Sequence, residues 1–133
     1  MGITWQDRIS NVEVLRRAGM PAMEAMITRS QLRWTGHVIR MSEERLPRDL
    51  LYSELREGSR PRGRPRLRYK DTLKRRLGLA GISHQQLETL AIDRAGWRAV
   101  VRKSAEAVHR EWEHREDKRA SRRHAATATK QAS

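Results

Sequence analysis

The chain has 133 residues, a formal net charge of +13 and no cysteine. This length suits one small domain, or two helical lobes that share a modest core, and the lack of cysteine excludes a disulfide framework and a thiolate metal site. No apolar run approaches the roughly 20 residues that cross a bilayer, and the N-terminus lacks an apolar signal core, so we expect an intracellular protein without a membrane partner.

The first predicted elements are two short helices. Thr4 and Asp7 have the spacing of a capping box, which predicts a short helix near Trp5. Asn11 is a candidate cap for a second helix, and Gly19 is a candidate C-terminal stop for it.

A longer helix is predicted next, with Pro21 in its first turn. Its apolar residues recur at helical spacing and predict one buried stripe, made of Met23, Ile27, Trp34, Val38 and Met41. Pro47 then precedes another helix, whose apolar side consists of Leu50, Leu51 and Leu55.

The segment 58–67 differs in kind from its surroundings. Pro61 and Pro65 remove backbone donors and favour an extended backbone before them, so no helix can run through it. Residues 58–76 contain nine Lys/Arg and one acidic residue, whereas residues 1–57 and 77–107 each carry a net charge of only +1. This localised basic patch indicates an anionic partner.

Three more helices are predicted after the basic segment. Tyr69, Leu73 and Leu77 stand four apart and predict a helix from Arg68 to Leu77, ended by two glycines, Gly78 and Gly81. A short helix follows Ser83, which forms a second capping box with Gln86, and its apolar residues are Leu87, Leu90 and Ala91.

Asp93 is a candidate cap for the last helix. The buried stripe predicted for it consists of Trp97, Val101, Ala105, Val108 and Trp112. Beyond Trp112 the apolar pattern fades, and we expect a solvated helical end that becomes a disordered tail.

The fold class predicted from these elements is all-α, because no segment shows the two-residue alternation of a strand. We divide the chain into an N-terminal helical lobe (1–57), a basic linker (58–67), a C-terminal helical lobe (68–115) and a charged helical end with a disordered tail (116–133).

Arg62-Gly63-Arg64-Pro65, inside the basic linker, resembles the core of an AT-hook. The narrow minor groove over A·T pairs attracts inserted arginines, and a glycine between them lets the backbone reach the groove floor. Three functions are compatible with the segment: minor-groove reading, sequence-independent phosphate binding, and an inert linker.

Tyr69 has two interpretations, stacking on an exposed base or opening the apolar stripe with Leu73 and Leu77. Lys74, Arg75 and Arg76 either extend the basic surface or form a solvated helix face. The candidate nucleic-acid contacts are Arg60, Arg62, Gly63, Arg64, Pro65, Arg66, Arg68, Tyr69, Lys70, Lys74 and Arg75.

The sequence shows no recognisable active site, and we expect no cofactor and no metal. His109 and His114 are five residues apart, which does not place them on one helical face, and His37 is expected to be packed or to cap a helix. No Walker-type loop is present, and no Ser/His/Asp set has a recognisable context.

About residues 3–102 resemble the segment that follows the reverse-transcriptase domain in LINE-type (non-LTR) retrotransposon polyproteins. The motifs that carry the resemblance are Trp5-Gln6-Asp7-Arg8-Ile9, 11–15, Leu32-Arg33-Trp34-Thr35-Gly36-His37-Val38-Ile39-Arg40-Met41, Arg45-Leu46-Pro47, Leu51-Tyr52, 58–66, Arg68-Tyr69-Lys70-Asp71, Leu73-Lys74 and 93–98.

The resemblance implies a C-terminal piece without catalysis, because that family's endonuclease and polymerase regions are missing here. It implies that the chain assists the binding of an RNA template or a DNA target, in the nucleus. Two alternatives remain: a helical protein-interaction module whose basic loop binds an acidic partner or serves as a nuclear import signal, and a retroelement remnant without selected function.

Overall fold

The structure, a computed structural model, describes residues 2–52 and 69–132. Within those ranges the chain is helical without a strand, which confirms the all-α prediction. The α-helices are α1 (Asn11–Ala18), α2 (Met23–Ile39), α3 (Leu46–Tyr52), α4 (Tyr69–Leu79), α5 (Leu87–Ile92) and α6 (Arg94–Ala132), with 3-10 turns at Trp5–Asp7 and His84–Gln86. No helix in the described ranges is long and apolar enough to cross a membrane.

The turn and the helix end predicted near the N-terminus are confirmed, but one predicted helix cap is wrong. The backbone N–H of Thr4 donates to Asp7 Oδ2 over 2.8 Å, and this contact starts the predicted turn at Trp5. Helix α1 is capped by Ser10 and not by Asn11, because Ser10 keeps an extended backbone and its Oγ accepts from the N–H of Glu13 at 3.3 Å. Gly19 ends α1 as predicted, with φ at +62°.

The helices on both sides of the basic segment share one core. Helices α2 and α6 form its centre, and α3, α4 and α5 pack around them. The buried residues of this core are Leu32, Val38, Ile39, Leu51, Leu73, Leu77, Ala91, Trp97, Val100 and Val101. The two predicted lobes are therefore packed together.

Helices α2 and α6 run antiparallel and touch closely. The Trp97 indole N–H donates to the Leu32 carbonyl over 2.9 Å, and further along the Ala22 N–H donates to His109 Nδ1 over 3.1 Å. A Cβ added at Gly36 would lie 2.1 Å from Trp97 Nε1, so only glycine fits beneath the indole. Gly36 thus permits the close approach of the two helices.

The stripe predicted for the long helix is largely wrong. Met23, Ile27 and Trp34 are 70%, 43% and 49% exposed, and Met41 lies beyond the end of α2. Val38 is buried as predicted, but the other members of the buried face are Ala25, Thr28, Leu32, Thr35, Gly36 and Ile39. Pro21 also lies before the helix, since Ala22 is its N-cap.

The physical reason is the closeness of α2 to α6, which favours small residues at the contact. Threonine can take such a position because its hydroxyl finds a partner on its own helix. Thr28 Oγ1 donates to the Glu24 carbonyl at 2.7 Å, and Thr35 Oγ1 lies 2.8 Å from the Gln31 carbonyl oxygen. A prediction that considers only apolar residues does not include these two threonines in the buried face.

The apolar side predicted for α3 is only partly found. Leu51 is buried, Leu50 is exposed, and Leu55 lies outside the described residues. In α4, by contrast, Leu73 and Leu77 are buried as predicted, with Tyr69 packed beside them. Gly78 lies inside α4 rather than ending it.

The chain reverses at Gly81, whose φ is +73°, and the Ile82 N–H donates to the Leu77 carbonyl over 3.0 Å. After this reversal, the Ala95 N–H donates to Asp93 Oδ1 over 3.1 Å, which supports the predicted cap of α6. Trp97, Val101 and Val108 are buried as predicted, whereas Ala105 and Trp112 are half-buried.

The disordered tail predicted within residues 116–133 is not found in the described part of the chain, because α6 continues to Ala132. After Gly96 the sequence has no glycine or proline, and its many Ala, Arg, Glu and Lys residues favour a helix. Residues 121–132 are helical although their side chains are exposed. The fading of the apolar pattern marked the end of packing, not the end of the helix.

Candidate nucleic-acid interface

Most of the predicted contacts lie outside the described residues: Arg60, Arg62, Gly63, Arg64, Pro65, Arg66 and Arg68. The other four, Tyr69, Lys70, Lys74 and Arg75, are on α4. Lys74 and Arg75 are exposed, on the side of the helix away from its buried leucines. Helix α4 therefore presents positive charge to solvent where it continues from the basic segment.

Tyr69 is attached to the protein interior. Its hydroxyl lies 2.7 Å from Thr35 Oγ1 and 3.1 Å from the Gln31 carbonyl oxygen. Its ring meets Trp34 edge-on, with centroids 5.8 Å apart. Burial raises the pKa of Tyr69 above that of an exposed tyrosine, although the Thr35 bond and the Arg76 charge act against it. Tyr69 therefore packs against the core as the first residue of the apolar stripe of α4. Its stacking on a base stays a prediction.

Arg76, next to the exposed cations of α4, turns towards the body of the protein. Its Nη1 donates to Gln31 Oε1. Burial lowers the pKa of Arg76 relative to an exposed arginine, and the charge of Arg75 lowers it further. An arginine side chain still stays charged at neutral pH. Arg76 helps to fix α4 against α2, so it is not part of a simple solvated face.

A second cationic surface is formed by a cleft of about 770 Å³ between α2 and α6. Its lining includes six arginines: Arg29, Arg33, Arg40, Arg94, Arg98 and Arg102. Glu106 is the one carboxylate among the described residues that line it. We call this surface the arginine cleft.

The two arginine rows face each other in register. Since Ala22 meets His109 and Leu32 meets Trp97, the antiparallel register sets Arg29 opposite Arg102 and Arg33 opposite Arg98. At one end, Arg40 Nη1 donates to the Ala91 carbonyl over 2.9 Å, which brings Arg40 close to the start of α6 and Arg94.

Five arginines of the cleft have no carboxylate partner among the residues that the structure describes. Within residues 2–52 and 69–132, no carboxylate lies within 4.0 Å of a guanidinium of Arg29, Arg33, Arg94, Arg98 or Arg102. The same five side chains are exposed. Facing rows of solvated, unpaired guanidinium groups form a surface that attracts polyanions.

Sequence reasoning missed the arginine cleft because it counted charge by segment. Over residues 77–107 the arginines of α6 are offset in the count by Glu88, Asp93 and Glu106. A signal was present nonetheless: Arg94, Arg98 and Arg102 repeat every four residues and must share one helix face. That the arginines of α2 face them depends on the packing of the two helices.

The histidines were only partly understood from the sequence. His37 is exposed on α2, contrary to the expectation of a packed or capping residue. His109 is the histidine with a capping role, since its Nδ1 accepts from the first turn of α2. The described residues contain no group of three or more potential metal ligands.

Comparisons of the chain with profiles of known protein families, with curated proteins and with solved structures found no match. The resemblance to LINE-type retrotransposon proteins therefore stays a prediction from the sequence motifs.

Proposed function

We propose that this chain is a non-catalytic nucleic-acid-binding module that holds DNA or RNA mainly through phosphate contacts. The observation that carries the proposal is the arginine cleft, whose described lining residues include six arginines and one carboxylate. Arginine binds phosphate through a planar fork of N–H donors, and phosphate contacts supply most of the affinity of sequence-independent binding.

The basic segment is the second part of the proposed interface. Arg60, Arg62, Arg64, Arg66, Arg68 and Lys70 would contact phosphates, while Gly63 and Pro65 would shape the backbone. Lys74 and Arg75 extend the same surface onto α4. The sequence resemblance favours an RNA template or a DNA target of a retroelement as the partner, and a nuclear location.

The test is the salt dependence of binding, measured with purified, nuclease-treated protein and with a labelled duplex and a labelled single strand. If about five phosphates are neutralised, log K should fall with log salt concentration with a slope near −4.5 for the duplex and near −3.5 for the single strand. Replacing the six basic residues from Arg60 to Lys70 by alanine should make the slope shallower, with the circular dichroism spectrum unchanged.

Absence of binding to duplex DNA, single strands and structured RNA would contradict the proposal. So would a slope near zero, because counterions are then not released. A protein partner that survives nuclease treatment in a pull-down, together with absent nucleic-acid binding, would favour a protein-interaction module instead. If the variant with six alanine replacements bound nucleic acid with unchanged affinity, the basic segment would not be part of the interface.

A further inference from the structure

We infer that the arginine cleft holds the sugar–phosphate backbone of one nucleic-acid strand, with the bases directed away from the cleft floor. This inference rests on the proposed function and assigns a ligand class and a binding mode to one of its two surfaces. Spacing, size and the chemistry of the floor each support it.

The spacing of the arginines matches a linear chain of phosphates. Four residues along an α-helix rise about 6 Å, so the steps between Arg94, Arg98 and Arg102 and between Arg29 and Arg33 are each about 6 Å. This is close to the distance between successive phosphates of an extended strand. Since the two rows are in register, each phosphate would lie between guanidinium groups from both walls.

The size of the cleft selects a single strand. A space of about 770 Å³ falls within the range of a small-molecule pocket and admits a few nucleotides. A double helix, whose major groove alone is about 12 Å wide, can touch the rims but cannot enter. The arginine cleft therefore distinguishes a strand from a duplex by exclusion.

Among the described residues, the floor of the cleft offers no exposed indole or phenol face on which a base could stack. Trp97 is the one indole or phenol side chain among the described residues that line the cleft. It is only 3% exposed, and its N–H donates to the Leu32 carbonyl. The other uncharged lining residues are Pro21, Ala25, Met26, Val101 and Ala105, together with His109, whose imidazole is already stacked with Trp112 and accepts from the Ala22 N–H. Single-strand binders that hold bases use exposed aromatic faces. The strand would accordingly be held by its backbone.

The arginine tract ends at Glu106, which lies one helical turn beyond Arg102 on α6. A carboxylate at this point repels the next phosphate of a strand that continues along the cleft. We therefore expect a short site of about three phosphates, two at the facing pairs Arg29–Arg102 and Arg33–Arg98 and one near Arg94 and Arg40, and an affinity that stops rising once this length is covered.

The test compares two variants with equal loss of charge. Arg33→Ala/Arg98→Ala removes one facing pair from the cleft, whereas Arg16→Ala/Arg17→Ala removes two exposed arginines of α1 that pair with Glu13. Binding is measured by fluorescence anisotropy with a thymidine 12-mer, an abasic 12-mer and a duplex of the same length.

For the thymidine 12-mer, the cleft variant should lose at least about tenfold in affinity, and its log–log salt slope should be shallower by about 1.4, which corresponds to two lost contacts to a single strand. The control variant should change affinity less than about twofold. The abasic 12-mer should bind the wild-type protein as well as the thymidine 12-mer does, and duplex binding should be equal in the two variants.

Three results would overturn the inference while leaving the proposed function intact. The first is equal single-strand affinity of the cleft and control variants. The second is an affinity of the wild-type protein for the abasic 12-mer more than about fivefold below that for the thymidine 12-mer, as expected for even one stacked base. The third is full competition by inorganic phosphate at the same total phosphate concentration. The last result would indicate a site for free phosphate. Failure of the wild-type protein to bind any nucleic acid would instead refute the proposed function itself.

Discussion

The protein has two cationic regions that arise in different ways. In the basic segment and the first part of α4, residues 58–76, nine cations fall within nineteen consecutive residues, so their positive charge can be counted directly from the sequence. In the arginine cleft, six arginines come from two stretches about sixty residues apart, and each stretch lies within a longer segment (1–57 or 77–107) whose net charge is only +1. The first region exists in any conformation of the chain, whereas the second requires α2 and α6 to pack.

The difference teaches that total charge and charge geometry carry separate information. A run of cations attracts polyanions whatever its shape, which suits contacts without a defined register. Paired rows on two rigid helices fix the distances between guanidinium groups and can select the form of the ligand. The predictions below separate the region that depends on tertiary packing from the region that does not.

The largest effect is expected from Gly36→Ala, which places a methyl group against the Trp97 indole where α2 and α6 touch. We expect the free energy of unfolding to fall by about 2 kcal/mol, because the indole must move or the helices must separate. Binding that depends on the arginine cleft should weaken with it, while the contribution of residues 58–76 should persist. Thermal melts and single-strand binding measure the two outcomes.

Gly78→Ala is the matched control, because a Cβ at Gly78 of α4 would have no atom within 4 Å. It should leave binding unchanged and stabilise the protein by about 0.5–1 kcal/mol, the gain typical of replacing a helical glycine. Equal stability of the Gly36→Ala and Gly78→Ala variants would contradict the close contact of α2 with α6.

A smaller effect is expected from Tyr69→Phe, at the junction of the basic segment with the core. Loss of the hydroxyl contacts with Thr35 and Gln31 should cost about 1 kcal/mol of stability. Nucleic-acid affinity should change less than about twofold, because the ring remains. A denaturant titration and a binding titration at the same temperature check this pair of outcomes.

Tyr69 also gives an expected pH dependence. Burial raises the pKa of Tyr69 in the folded state, so the unfolded chain loses this proton first as the pH rises. The stabilising contribution is complete below the unfolded-state pKa of about 10 and is lost as the pH rises towards the folded-state value. The stability difference between wild type and Tyr69→Phe should therefore shrink at alkaline pH; a constant difference would contradict the burial of the hydroxyl.

The smallest effect concerns the unliganded arginine cleft, where unpaired guanidinium groups repel each other. In low salt, Arg33→Ala/Arg98→Ala should raise the stability by a few tenths of a kcal/mol, the size found for like charges one helical turn apart. In about 1 M salt, where charges are screened beyond about 3 Å, the gain should vanish. A melting temperature that stays lower than that of wild type at both salt concentrations would show that the two arginines stabilise the fold.

The sequence was informative wherever a local signal fixes the backbone. The caps at Thr4 and Asp93, the positive-φ position at Gly19 and the Leu73 and Leu77 repeat were all predicted from short-range spacing, and each has the expected role. The positive charge at residues 58–76 was equally plain. These features depend on residues a few positions apart, whose interactions do not require the rest of the fold.

The sequence was misleading where a face is chosen by a distant partner. On α2 the large residues Met23, Ile27 and Trp34 looked like core, yet the side that packs against α6 is made of smaller ones. Close packing of two helices selects small side chains and self-satisfied threonines, and no property of α2 alone reveals which side that is.

What the sequence alone determined, then, is the all-α class, several of the helix ends and a chain-local cationic run, because each follows from backbone preferences and neighbouring residues. Only the tertiary structure decided that the helices on both sides of the basic segment share one core, and that Arg29 and Arg33 face Arg102 and Arg98. The reason is that Gly36 and Trp97, sixty-one positions apart in the numbering, set the register of α2 on α6, and that register places the two rows of charge opposite each other.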